Sequence, residues 1–127
     1  MRIAASGMAA AITSMTATAS NVANAITTGP VPDGARPPEN VYQPATVVST
    51  SLSDGGVAAT VIRAPSYSMS YQPASPFANV QGMVAAPNID LVTQMVNQMS
   101  ASAAFRANAK VFQIAARNQK MLLDMVV

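Results

Sequence analysis

The chain has 127 residues, half of them apolar and only 9% charged, with a net charge of +2 and neither His nor Cys. Without those two residue types it lacks the usual general bases, thiol nucleophiles and transition-metal ligands, and its five acids (Asp33, Glu39, Asp54, Asp90, Asp124) form no carboxylate pair on one helical face. Composition therefore points away from an enzyme and implies no cofactor or metal. No basic run suits nucleic acid, and no apolar stretch approaches the roughly 18 residues of a bilayer span.

At the N-terminus, MRIAASGMAAAITSMTATASNVANAITTG offers two readings. Arg2, the Ala/Met/Ile run and Ala17-Thr18-Ala19 resemble a cleavable signal, yet the run contains no Leu, Val or Phe up to Ile12 and is interrupted by Ser6 and Gly7. Met1, Ala5, Met8, Ile12, Met15, Ala19, Val22 and Ile26 step by four and three, the seam of a heptad helix. The spacing predicts a retained amphipathic helix over 1–28, stopped by Gly29 and Pro30.

Next comes GPVPDGARPPEN, with four Pro and two Gly, a loop that neither helix nor central strand accommodates. The Val/Thr-rich segments 41–51 and 57–63, separated by Ser53-Asp54-Gly55-Gly56, predict a β-hairpin. From 64 to 87, four Pro interleaved with Tyr67, Tyr71 and Phe77 predict extended chain whose aromatics anchor on a neighbouring helix.

After Pro87, Asn88 and Asp90 suit capping and nothing breaks a helix from 91 onwards. Its best seam is Leu91, Met95, Gln98, Ser102, Phe105, Ala109, Phe112, Ala116, Gln119, Leu123 and Val126, eight of them apolar. Arg106, Lys110, Arg117 and Lys120 read as a solvated or inter-subunit face. Matched seams at the two chain ends predict a mainly α fold. In it, long N- and C-terminal helices (1–28 and 88–127) pair as a coiled-coil stem and carry a small β-hairpin and an irregular Pro-rich centre (29–87). Met1, Met8 and Met15 in the first helix and Met95, Met99, Met121 and Met125 in the last are, on this reading, adaptable filler between similar helices and not thioether metal ligands.

Ser6-Gly7-Met8, then Ala19-Ser20-Asn21-Val22-Ala23-Asn24 and Thr27-Thr28-Gly29, resemble the N-terminal signature of bacterial flagellar rod and hook proteins. PNIDLVTQMVNQMSASAAFRANAKVFQIAARNQKMLL, from 87 to 123 and carrying Pro87, Asn88, Asn97 and Asn108, is similar to the matching C-terminal signature. Within this family the chain's shortness excludes a hook or large distal-rod subunit, and Gly56-Val57, Val61, Arg63-Ala64-Pro65-Ser66, Tyr71-Gln72-Pro73, Ala78-Asn79, Gly82 and Pro87-Asn88-Ile89-Asp90 together are most similar to the proximal rod proteins. The resemblance implies a non-enzymatic subunit of the basal-body rod, the periplasm-crossing drive shaft, whose terminal helices line the wall of a hollow tube. It implies copies of itself, other rod proteins and the flagellar type III export apparatus as partners, and export without a cleaved signal. The apolar seams are then the expected assembly surface. The alternative is a non-enzymatic soluble adaptor, or another short axial protein, that displays its central β segment to a partner.

Overall fold

The computed structural model describes residues 1–32 and 40–125. Helix α1 spans Arg2–Ala23 and helix α2 spans Leu91–Asp124, with β1 (Ala45–Ser51), β2 (Val57–Arg63), β3 (Tyr67–Tyr71) and β4 (Met83–Pro87) between them. The chain is thus mixed helix and sheet, with more regular β structure than the mainly α expectation allowed. Most of the expected Pro-rich loop, 33–39, and the last expected seam residue, Val126, lie outside the described residues.

Helix α1 is shorter than its seam predicted. It ends where Asn24 leaves helical geometry (φ −106, ψ 7) and its amide side chain turns back to donate to the Ser20 carbonyl. Ile26, expected as the last seam residue, lies in the following turn and is 88% exposed. Helix α2 begins where sequence placed it, because Asp90 accepts from the backbone N–H groups of Val92 and Thr93.

Strands β1 and β2 form an antiparallel hairpin in register from Ala45↔Arg63 to Ser51↔Val57, closed by the Asp54-Gly55-Gly56 turn. Both glycines have positive φ, 81 and 106, as that tight reversal requires. The segment expected as merely extended folds into a second antiparallel pair, β3 with β4, from Tyr67↔Pro87 to Tyr71↔Met83. Gly29 completes it: its N–H and C=O exchange 2.9 Å bonds with Ala85 on the other edge of β4. Flanked on both sides, β4 buries Val84 and Ala85 completely. The backbone of this second sheet stays apart from both helices, and Tyr71 and Phe77 are exposed, so these aromatics do not anchor on a helix as expected.

The two helices pack antiparallel, since Gly7 meets Asn108 and Asn21 meets Gln94. That register brings Met1 level with Ile114, so the last turns of α2 run on past the start of α1. The first hairpin lies along a neighbouring side of α1.

Candidate assembly interface

The helices meet through a different set of residues from the one the heptad reading selected. On α1 the line facing α2 and its groove is Ala4, Gly7, Ala11, Ser14, Thr18 and Asn21; on α2 it is Gln94, Asn97, Ala101, Ala104 and Asn108. Each keeps the three-four rhythm but sits one position before the expected seam, about 100° round the helix. The expected pairing of Met1, Ala5, Met8, Ile12, Met15, Ala19, Val22 and Ile26 with Leu91, Met95, Phe105, Ala109, Phe112, Ala116 and Leu123 is therefore corrected: small and amide side chains hold the two helices together. Large side chains would hold the axes apart, whereas Gly and Ala let them approach. At Gly7 the approach is so close that an added Cβ would lie 2.6 Å from the Asn108 side-chain oxygen.

Asn21 is the centre of this interface and is 3% exposed. Its Nδ2 donates to the Ala45 carbonyl and to Gln94 Oε1, both at 2.9 Å. Its Oδ1 accepts from the Ala45 N–H at 2.8 Å and from the Tyr42 hydroxyl at 3.0 Å. Both amide donors and both acceptor sites are thereby used, and the Ala45 backbone fixes which end of the amide is which. One side chain joins α1, α2 and the entry to β1. Tyr42 is held in turn by the Arg63 guanidinium, 5.5 Å above its ring.

At the other end of α1 the hairpin turn sits against the first helical residues. Ser6 Oγ donates to the Ile3 carbonyl at 2.8 Å and accepts from the Val57 N–H at 3.1 Å. An added Cβ on Gly56 would lie 2.6 Å from Ser6 Oγ. Asp54 pairs with Arg2 at 2.7 Å and brings a carboxylate to a helix start that has no side-chain cap and no acid in its first turn.

The remaining motif residues have separate positions. Ser20 and Asn24 bond within the C-terminal turn of α1, Asn88 donates its N–H to Ser66, and Pro87 is buried at the end of β4. Asn97 and Asn108 line an open groove of about 670 Å³ between α1, α2 and the hairpin. That groove is walled by Gly, Ala, Val, Ser, Thr, Asn and Gln, so its chemistry is packing and neutral hydrogen bonding.

The seams sequence selected lie largely on the outside. Met1 is 52% and Ile12 50% exposed, Val22 is exposed, and Met8 and Met15 are half-buried; on α2, Leu91, Met95, Phe112, Ala116 and Leu123 are exposed, with Phe105 and Ala109 half-buried. Ala5 and Ala19 lie on the same open side of α1. Gln94, Ala45, Tyr42 and Val57 were missed as partners of the motif. The three-four spacing of small residues beside each apolar seam was the signal that could have found the helix–helix face.

Residues 80–125 match the family model described as "Flagellar basal body rod FlgEFG protein C-terminal". The flagellar basal-body rod protein FlgC of Salmonella typhimurium (strain LT2) is 36% identical over 110 residues, covering 86% of this chain and 82% of the relative. FlgC of Escherichia coli O6:H1 is 39% identical over 113 residues and that of Yersinia enterocolitica 37% over 112, with the same coverage.

Proposed function

The chain belongs to the FlgC-type family of flagellar basal-body rod proteins and is a structural subunit of that rod, and we propose that it assembles through the apolar seams its own fold leaves uncovered. One observation carries this reading: the α1 seam lies about 100° round the helix from the line that meets α2, and Met1, Ile12 and Val22 on it stay exposed, Ile12 at the rim of an open groove it shares with Val61 and Arg63 of the hairpin. A contiguous apolar stripe on a small folded chain marks a protein interface. Contacts between unlike faces that do not close on themselves generate a helical filament, and dense packing between long helices transmits torque without an active site. The partners are copies of this chain and other rod proteins, in a periplasm-crossing shaft around the export channel.

We further propose that α1 is retained after passage through the type III apparatus. Cleavage after Ala19 would remove Ser6 and Gly7 and cut the helix that carries Asn21, taking from the hairpin and from α2 the element they share.

Ile12→Asp and Leu123→Asp test the assembly reading. Both sites are exposed, so each variant is expected to melt like the parent but to be absent from isolated basal bodies and to abolish swimming. Normal motility of both variants would refute assembly through these seams.

A further inference from the structure

The side of α2 turned away from α1 has a two-part composition. With Gln94, Ala101 and Asn108 directed toward α1, a turn of about 100° per residue puts two successive sets of residues on the opposite side. Val92, Met95, Val96 and Met99 come first and are 54 to 70% exposed. Arg106, Lys110, Arg117 and Lys120 continue the same line at heptad-like spacing, all exposed.

Among the described residues these four cations have no carboxylate partner. Asp54 is taken by Arg2, Asp90 accepts from the first turn of its own helix, and Asp124, one turn beyond Lys120 at the end of the same face, makes no ion pair with it. Like charges at this spacing repel along a bare helix, and exposed Val and Met carry their own hydration penalty. Both features become favourable against a partner of the opposite pattern.

A second copy of this chain is a poor match for that face. Parallel pairing would set cations against cations; antiparallel pairing would press the cations onto Val and Met, desolvating charges without a counter-charge. We propose that the outward face of α2 docks an α-helix of a different chain, apolar opposite 92–99 and carrying carboxylates at heptad spacing opposite 106–120. This rests on the axial-assembly reading and adds the chemistry of the partner.

Two synthetic helical peptides test it, sharing one apolar half and differing only in Glu or Lys at the heptad positions of the other half. Each is titrated against the full chain by fluorescence anisotropy, alongside vesicles of phosphatidylglycerol and phosphatidylcholine. The Glu peptide is expected to bind at least about tenfold more tightly than the Lys peptide in roughly 0.05 M NaCl, and to lose about tenfold in roughly 0.5 M NaCl. Arg117→Glu with Lys120→Glu should reverse the preference, whereas Arg117→Lys with Lys120→Arg should keep it; both pairs are exposed, and circular dichroism checks that they fold. Equal binding of the two peptides, a preference unmoved by charge reversal, or binding to the vesicles without binding to the Glu peptide would overturn the proposal. In cells, a wild-type chain in basal bodies beside an equally incorporated, normally swimming charge-reversed chain would overturn this proposal and leave the assembly reading standing. Absence of the wild-type chain from basal bodies would instead end the assembly reading.

Discussion

Replacing Asn21 by Ala removes four hydrogen bonds at once, but their costs are unequal. Tyr42 and Gln94 are half-buried and can turn to water, while the N–H and C=O of Ala45 belong to a buried residue and cannot. An unsatisfied buried backbone group costs about 1–3 kcal/mol, so the two together give about 2–6 kcal/mol. Domains of this size are stable by about 0.05 kcal/mol per residue at the low end, about 6 kcal/mol here. The buried apolar set of Ala4, Ala11, Ala17, Ala45, Val84, Ala85 and Ala101 suits that low end. Asn21→Ala is therefore expected to take away a third or more of the folding free energy. Urea titration by circular dichroism measures it, and amide exchange at Ala45 should accelerate with it. A loss under about 0.5 kcal/mol, the range of ordinary surface changes, would refute the reasoning.

Asn21→Asp should be at least as damaging at neutral pH, because its carboxylate faces the Ala45 carbonyl where an N–H donated before. Burial raises the folded pKa of that carboxyl above its unfolded value of about 3.9, so stability should fall as pH rises from there to the folded pKa; a variant stable independently of pH would contradict this. Gly7→Ala gains about 1 kcal/mol of helix propensity but drives its Cβ into the Asn108 amide, so it should destabilise the native chain yet stabilise an Asn108→Ala background, as a double-mutant cycle would measure. Ser6→Ala should cost about 1 kcal/mol by orphaning the Val57 N–H, visible as faster exchange at Val57 in the hairpin. The Thr93 hydroxyl first, then the Val92 N–H, hold the Asp90 pKa below the ordinary carboxylate range. Its cap is thus present above the unfolded pKa and lost as pH falls through the folded one, so exchange at Val92 and Thr93 should quicken only there, and Asp90→Ala should abolish the pH dependence.

Much of the fold was legible because local chemistry decides it. The Asp90 cap, the turn at Asp54-Gly55-Gly56 and the unbroken run after Leu91 act over a few residues. The second sheet was not, since β3 and β4 are separated by a turn-rich stretch and β4 needs Gly29, a residue far back in the chain, on its other edge. The helix–helix face was missed for a different reason. Each helix carries two adjacent stripes of the same period, and the rule that apolar residues turn inward does not say whether "inward" means the same chain or its neighbour. Here the small stripe with Gly7, Ala11 and Asn21 serves the chain itself, and the Met/Ile stripe is left over. Asn21 stood out in sequence as a motif residue, but its partners Ala45 and Gln94 carry no signal of their own.

The Asn21 junction also sets a schedule. Gln94 lies 73 residues beyond it, so at a synthesis rate of about 5–20 residues per second α1 waits roughly 4 to 15 s on the ribosome before its helical partner exists. During that interval the N-terminal segment lacks the helix it packs against, and in proteins most helical stability comes from such packing and not from propensity. The helix–helix contact thus forms only after nearly the whole chain has been made, so the α1–α2 pairing is a late event of folding and not its starting point.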